Sequence, residues 1–171
     1  MPKHIHSVLL AFSAFSFLTA AAPASAETKD TTFNVLLTIT KACNFTTAAN
    51  DVNFGSSLST AINIENAGSL RVTCTKGTSY TIGLSAGSGT GATTSGRKMK
   101  AVGAPGNTDE VPYALYRDSG RTSNWGDAAS ADTYSSSGLG TEQIIPVNGR
   151  VPSANFSAGN YSDTIVATVT Y

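Results

Sequence analysis

The segment from residue 31 to residue 40 alternates apolar and polar side chains more regularly than any other stretch of this sequence. It reads T-T-F-N-V-L-L-T-I-T. Successive side chains of a β-strand point to opposite faces, so one face would carry Phe33, Val35, Leu37 and Ile39. The opposite face is polar apart from Leu36. The pattern predicts a strand that must cover its apolar face with a sheet, either in its own domain or in a neighbouring molecule.

The remainder of the chain predicts further strands and no helix. Short alternating runs are separated by turns rich in Gly, Ser and Asn, and no segment carries a capped apolar stripe of helical period. The last run, residues 159–171, places these side chains on one face: Tyr161, Ile165, Ala167, Val169 and Tyr171. With 171 residues, the chain suits one domain with a substantial core. We therefore expect an all-β sandwich of immunoglobulin-like type.

Four local features carry expectations about where each segment lies in the sandwich. Residues 52–55 predict a short strand that ends at a glycine turn. The glycine-rich residues 85–96 predict a flexible hairpin loop, because no Gly-Lys-Ser/Thr ending or helix follows to form a phosphate site. Residues 97–100 (R-K-M-K) predict an edge strand with solvated basic side chains. Pro146 predicts an edge position or a bulge in its strand.

The first 26 residues have the organisation of a secretory signal. Lys3 gives a short basic start, an apolar run follows to residue 22, and Ala24-Ser25-Ala26 forms a small-residue cleavage site. The apolar run is short for a membrane span, which needs about 20 residues. The predicted organisation is a signal at 1–26, an N-terminal extension at 27–40, and one domain at 41–171.

The two cysteines, Cys43 and Cys74, lie beyond the predicted signal. In an oxidising compartment, a single pair predicts a disulfide. The bond would close a loop of about 30 residues, worth roughly 3.5–4 kcal/mol in the chain-entropy model. Two thiols without a nearby histidine make a poor metal site, so we expect no metal and no cofactor.

Histidine is absent after the predicted signal, because His4 and His6 both lie within it. This absence removes a Ser-His-Asp triad, a Cys-His pair and any zinc site that uses histidine. We therefore expect no enzyme and no catalytic residue. After loss of the signal, the acidic and basic side chains nearly balance, and no basic face predicts a nucleic-acid partner.

An alternative for this sequence is a lectin-like module or a carboxylate-based glycosidase. Asp118 and Asp127 lie near Trp125, and an exposed tryptophan could stack on a sugar. The turn-like surroundings favour turn capping by the two carboxylates instead. The tryptophan is better placed to cover the end of the sandwich core.

Several short motifs, taken in order, resemble the spore coat protein U domain family, which includes the Csu-type pilins of archaic chaperone–usher pili. The first half of the resemblance consists of Cys43, residues 53–55 (N-F-G) and residues 72–77 (V-T-C-T-K-G). The second half consists of residues 113–118 (Y-A-L-Y-R-D), Trp125-Gly126 and residues 159–164 (G-N-Y-S-D-T). Together the motifs extend over nearly all of the chain after the signal, and their order and spacing are more specific than any one of them.

The resemblance implies a pilin with an incomplete immunoglobulin-like sandwich that lacks its last strand. A periplasmic chaperone would supply that strand, and the N-terminal strand of another subunit would replace the chaperone at an outer-membrane usher. By position, the donor residues would be Phe33, Val35, Leu37 and Ile39. One side of the acceptor groove would consist of Ile165, Ala167, Val169 and Tyr171.

The implied function is that of a structural subunit in a homo- or hetero-polymeric surface pilus that supports attachment and biofilm formation. The bond between Cys43 and Cys74 would tie the first strand of the domain to the second. A secreted spore-coat or matrix protein with the same sandwich is the alternative within the family. A single domain makes a pilus-tip role less favoured than a place in the rod.

Overall fold

The computed structural model describes residues 23–127 and 131–171 as an antiparallel β-structure. A six-stranded sheet has the order β1-β2-β7-β5-β4-β8, and a three-stranded sheet has the order β6-β3-β9. The strands are β1 Cys43–Phe45, β2 Ile62–Cys74, β3 Ser79–Leu84, β4 Arg97–Val102, β5 Glu110–Tyr116, β6 Tyr134–Ser137, β7 Glu142–Ser153, β8 Asn160–Ser162 and β9 Ala167–Thr170. No helix occurs among these residues, and the expected all-β class is confirmed.

The membrane and export expectations concern mainly the start of the chain. The predicted signal, residues 1–26, lies for most of its length outside the described residues. Within the part of the chain that the structure describes, no helix has the length and apolar character to cross a bilayer.

The two longest strands, β2 and β7, are neighbours in the six-stranded sheet. They pair from Ile62 opposite Ser153 to Thr73 opposite Glu142. Alternate residues point into the core, namely Leu70, Val72 and Cys74 from β2 and Ile145, Val147 and Val151 from β7. The expected edge position of Pro146 holds only locally. The strand β7 lies inside the sheet, but β5 pairs with it only at residues 148–150 and does not reach Pro146.

The three-stranded sheet covers part of this inner face. Tyr80, Ile82 and Leu84 of β3 are buried against it. Trp125 has no exposed surface, and its indole Nε1 donates a 2.8 Å hydrogen bond to the carbonyl of Ile82. The core position expected for Trp125 is therefore correct. Burial of a large aromatic ring with a satisfied N–H closes this end of the core.

The final segment is divided between the two sheets instead of forming one strand. Strand β8 pairs with β4 in the larger sheet, and β9 pairs with β3 in the smaller sheet. Residues 163–166 cross between them. Half-buried residues alternate with exposed ones from Tyr161 through Val169, so the side-chain pattern continues across the crossing. Alternation specifies a face and not a hydrogen-bonding partner, which is why the sequence predicted a single strand.

The predicted solvated edge at residues 97–100 is wrong for Arg97, whereas Lys98 is half-exposed and Lys100 is exposed, and β8 pairs with β4 only from Lys100 onward. Strand β4 lies between β5 and β8. Arg97 has no exposed surface, and its guanidinium donates hydrogen bonds to the carbonyls of Leu84, Ser85, Thr94 and Trp125. Three of these acceptors lie 12 to 28 residues from Arg97, so the alternation within residues 97–100 gave no sign of them.

Residues 85–96, predicted to be a flexible hairpin loop, instead connect β3 and β4 of different sheets and make many contacts. The backbone N–H of Thr90 donates to Glu110, and the ammonium of Lys98 donates to the carbonyl of Thr90. A Cβ on Gly89 would lie 2.6 Å from the Cβ of Lys98. The glycines thus permit close packing here as well as tight turns.

Two predicted strands are absent from the described residues. No strand is assigned within residues 23–42 or 51–60. The chain divides into two units after Leu37, and the side chains of Phe33, Val35 and Leu37 are each more than 80% exposed. A strand needs a hydrogen-bonded neighbour, and neither segment has a ladder of such bonds within this single molecule.

Candidate functional site

A groove of about 1040 Å³ opens the sandwich core to solvent. This volume is about seven times the ~150 Å³ cavity that holds one benzene-sized molecule. Its floor is apolar and consists of residues that belong to the core, namely Leu70, Leu84, Val111, Tyr113, Leu115, Val147 and Val151. Each of these floor residues keeps only 2–7% of its surface exposed, so the groove reaches core side chains that are themselves largely buried.

Two segments border the groove, and they attach near opposite edges of the six-stranded sheet. Residues 49–59 are attached to the sheet at Asn50, whose backbone exchanges hydrogen bonds of 2.9 and 3.1 Å with Ser69 of β2. Residues 156–167 run along the other side, where Tyr161 pairs with Ala101 of β4. The groove is thus an elongated space between two stretches of chain.

The border formed by residues 49–59 is anchored by side chains and lacks a ladder. Val52 and Phe54 pack on Gly149 of β7, where a Cβ would lie 2.6 Å from Val52 Cγ1 and 2.8 Å from Phe54 Cζ. Gly149 thus admits these two side chains onto the inner face of the sheet. Leu58 remains 79% exposed beside the groove. This segment has backbone groups available for pairing with an added strand.

The other border includes a free sheet edge. Within the described ranges, β9 pairs with β3 alone, so no strand is hydrogen-bonded to its other edge. Unpaired N–H and C=O groups at such an edge are a template for another strand. An apolar floor, a free edge and a second unpaired segment are what an inserted strand requires.

The residues predicted for the acceptor groove divide into two pairs. Ile165 and Ala167 line the groove. Val169 is half-buried against the core, and Tyr171 is 57% exposed near Ser79 and Ser136, outside the groove. The four predicted donor residues lie within residues 27–40, the leading segment. Their side chains are exposed, so in this single molecule they cover no sheet.

The two predicted cysteines are joined. Cys43 and Cys74 form a disulfide and also lie opposite one another in the β1–β2 ladder. The neighbouring Thr75 holds the chain just before β1, because its Oγ1 donates to the carbonyl of Thr40 and accepts from the N–H of Ala42. The leading segment therefore leaves the domain from a fixed point.

A polar cluster closes the groove at the crossing between the sheets. The carboxylate of Asp163 accepts 2.7 Å hydrogen bonds from the Tyr113 hydroxyl and from the N–H and Oγ of Ser88. Burial acts to raise the pKa of Asp163, but these hydrogen bonds outweigh it and hold the pKa below its usual value. Burial also raises the pKa of Tyr113 above its usual value, and the bond to Asp163 adds to this effect.

The geometry does not favour the sugar-binding alternative. Trp125 is fully buried and offers no face for a sugar. Asp118 accepts hydrogen bonds from the N–H groups of Thr122 and Ser123, which cap a turn and lower the pKa of the carboxyl. Asp127 is exposed. Residues 23–127 and 131–171 hold no group of three or more His, Cys, Asp or Glu side chains that could bind a metal ion.

The sequence interpretation missed Arg97, Asp163 and Gly149 as determinants of the groove. Asp163 lies in the G-N-Y-S-D-T motif and Trp125 in the W-G motif, and Tyr113 begins a third. The structure links the three motifs, because the Tyr113 hydroxyl donates to Asp163 and the backbone N–H of Trp125 donates to the carbonyl of Leu115. The order and spacing of these motifs were the available signal, although they did not show which side chain performs which task.

Comparison with known proteins gives three findings. The Spore Coat Protein U domain matches residues 29–168. The sequence is 31% identical over 180 residues to "Protein U" of Myxococcus xanthus, with 98% of each chain covered.

A similar solved structure is the CsuC–CsuE chaperone–tip adhesion subunit pre-assembly complex from the archaic chaperone–usher Csu pili of Acinetobacter baumannii. The TM-score is 0.54 at 21% identity, with 78% of this chain covered. The match spans 40% of the solved chain. At this identity the likeness establishes the fold, and the expected pilin-type β-sandwich is confirmed.

Proposed function

Because this chain belongs to the spore coat protein U domain family, we propose that it is a structural pilin subunit that polymerises by donor-strand exchange. Residues 31–40 of one copy fill the groove of another copy. The observation that carries the proposal is the presence, in one chain, of an open apolar groove and an exposed segment with one apolar face. Each is unfavourable in water, and each matches the other in chemistry.

The inserted strand lies between β9 and residues 51–57 and pairs with both. The free edge of β9 supplies backbone partners on one side. Residues 51–57, which belong to no strand, supply them on the other. Phe33, Val35, Leu37 and Ile39 point down onto the floor, while the polar face and Leu36 point outward. Insertion at an existing sheet edge is a known mode of peptide recognition, and pilin complementation is one of its standard examples.

The interaction is strong enough to hold a fibre together. Burial of four apolar side chains is worth about 1.5–3 kcal/mol each, or roughly 6–12 kcal/mol as an upper estimate. Each net backbone hydrogen bond adds about 0.5–1.5 kcal/mol. The exchange joins two different surfaces, so it is heterologous and continues into a filament instead of closing into a dimer.

The proposal includes a route of assembly and a location. The solved relative is a complex of a pilus subunit with its chaperone. We place this chain in the same kind of pathway, with a periplasmic chaperone that covers the groove and an outer-membrane usher that exchanges it. The product is a homo- or hetero-polymer on the cell surface, where it supports attachment and biofilm formation.

The test uses two adjacent leucines of opposite parity. Leu37 and Leu36 are 84% and 87% exposed, so a charge at either one leaves the free subunit equally well solvated. Leu37→Asp places a carboxylate on the buried face of the inserted strand, and we expect it to abolish polymers in unboiled gels and electron micrographs. The matched control Leu36→Asp retains them. Equal polymerisation of both variants would exclude residues 31–40 as the donor.

A secreted coat or matrix component is the second candidate, and the full-length match to "Protein U" favours it. Such a protein uses the same sandwich without chaperone-driven assembly. Expression with and without a co-expressed periplasmic chaperone separates the two functions. A stable, protease-resistant monomer obtained without any chaperone supports the coat function, and recovery only as a one-to-one complex with the chaperone supports the pilin function.

A further inference from the structure

The crossing segment, residues 163–166, decides whether the groove has an open edge. It leads from β8 in one sheet to β9 in the other within four residues. Ile165 and Ala167, at and just beyond the crossing, turn toward the groove. A displacement of this segment would move both the apolar border and the free edge of β9.

Asp163 holds the first residue of the crossing. Its carboxylate accepts four hydrogen bonds: from the N–H and Oγ of Ser88, from the Tyr113 hydroxyl and from the N–H of Thr164, at 2.7–2.8 Å. Hydrogen bonds to an ionised carboxylate are shorter and stronger than neutral ones.

The loop that holds Asp163 is shaped for this carboxylate. A Cβ on Gly87 would lie 1.9 Å from Asp163 Oδ2, and Gly87 has a φ of +84° that other residues rarely adopt. The same loop holds the end of the crossing, because Ser85 donates its N–H to the carbonyl of Val166 and accepts from the N–H of Val166 through Oγ. Residues 85–88 thus form hydrogen bonds with both ends of the four-residue crossing.

The buried Arg97 anchors the start of this loop through hydrogen bonds to backbone carbonyls. Its Nε donates to the carbonyl of Ser85 at 2.8 Å, and its Nη2 donates to the carbonyl of Leu84 at 2.9 Å. Burial lowers the pKa of the guanidinium, with Tyr113 and Asp163 acting in the opposite direction. The loop is therefore itself anchored in the core and can serve as a rigid support.

We propose that Asp163 is a positioning residue for strand capture, which holds the crossing so that the groove is preformed before the strand of a second copy arrives. This inference rests on the proposed function. A preformed site avoids the ordering cost that a mobile border would impose at the moment of binding. Asp163 borders the groove, and its proposed task is to hold the crossing segment and not to pair with the incoming strand.

The experiment refolds the full chain from residue 27 onward, with its disulfide intact, in the presence of a fluorescent peptide of residues 27–41. Uptake of the peptide is measured by anisotropy, and the thermal midpoint of each variant is measured in parallel. We expect Asp163→Asn to slow uptake about 10- to 100-fold, the factor that corresponds to one or two lost charge-assisted hydrogen bonds. Tyr113→Phe, which removes one hydroxyl, should slow uptake less and gives a second measurement if Asp163→Asn does not refold.

Two controls separate positioning from a general loss of stability. Val72→Ala weakens a fully buried part of the core that does not line the groove. Asp118→Asn removes a carboxylate that caps a turn elsewhere. Both should leave the uptake rate within about threefold of wild type, since any larger effect would exceed the ordinary scatter of distant substitutions.

The outcomes are distinct. Slow uptake by Asp163→Asn at a thermal midpoint no lower than that of Val72→Ala supports the proposal. Uptake at the wild-type rate, or slowing no greater than that of Val72→Ala, overturns the role of Asp163 and leaves the pilin function standing. No uptake by the wild-type chain overturns the proposed function, and the role of Asp163 in strand capture with it.

Discussion

The Nη2 atom of Arg97 donates a 2.8 Å hydrogen bond to the backbone carbonyl of Trp125, and neither side chain has exposed surface. This bond joins the first residue of β4 to a loop 28 residues further along the chain. Buried carbonyl groups at the end of a sandwich need donors, and one planar guanidinium supplies several of them at once.

Replacement of Arg97 by methionine should destabilise the domain by about 3 kcal/mol or more, because several buried carbonyls lose their donor together. Lys98→Met on the same strand removes a partly exposed ion pair with Glu110 and one hydrogen bond to the carbonyl of Thr90, with an expected cost of about 1–2 kcal/mol. Urea denaturation of both variants in the same assembly state measures the difference. Equal midpoints would mean that water satisfies these carbonyls.

The disulfide predicts a sensitivity to reductant. Replacement of both Cys43 and Cys74 by serine should lower the free energy of unfolding by roughly 3.5–4 kcal/mol. The reason is that the unfolded chain gains conformational entropy when the loop between the two positions is no longer closed. Wild-type protein unfolded in dithiothreitol should give the same midpoint as this variant, and dithiothreitol should have no effect on the variant itself. A reductant effect on the variant would show that the bond is not the cause.

Gly87→Ala should be more destabilising than Gly91→Ala. Both glycines have positive φ, so alanine costs about 1–2 kcal/mol of backbone strain at either position. Gly91 has open space around it, whereas a Cβ at Gly87 would displace Asp163. We expect an additional loss of about 1–3 kcal/mol for Gly87→Ala from the hydrogen bonds broken there. Equal thermal midpoints for the two variants would contradict the close fit.

Asp163 predicts a defined acid dependence. Its pKa lies below the ordinary 3.8 in the folded protein, so folding favours the ionised form. The contribution is fully present at neutral pH and down to the ordinary pKa, and it is lost as the pH falls through the folded-state pKa. The difference in unfolding free energy between wild type and Asp163→Asn should therefore be constant above about pH 5 and shrink below about pH 4. A difference that grows with acidity would contradict this sign.

Much of the fold could be predicted because burial follows the parity of the side chains. Val72 and Cys74, Ile82 and Leu84, and Ile145 and Val147 all point inward as their alternation indicates. The positions of Arg97 and of residues 163–166 could not be predicted in this way. Their environment depends on backbone carbonyls and loop atoms far away in sequence, which no local pattern records.

The candidate site was predictable in outline and not in detail. The alternation in residues 31–40 indicated one apolar face. A strand forms only with a hydrogen-bonded neighbour, however, and these residues have none in a single molecule. Ile165 and Ala167 line the groove and Tyr171 lies outside it, and the acceptor role assigned to these residues stays a prediction. Alternation assigns a side chain to a face, but the length of the uncovered region depends on where the covering strands end.

The disulfide has a mechanical consequence for any fibre made of this subunit. Tension along the leading segment enters the domain at Cys43, where only a three-residue strand would resist by hydrogen bonds that could open one after another. The covalent bond transmits that tension to Cys74 at the end of the 13-residue strand β2, which pairs with β7 from Ile62 to Thr73. Reduction of this one bond should therefore weaken the subunit against pulling far more than it changes its shape.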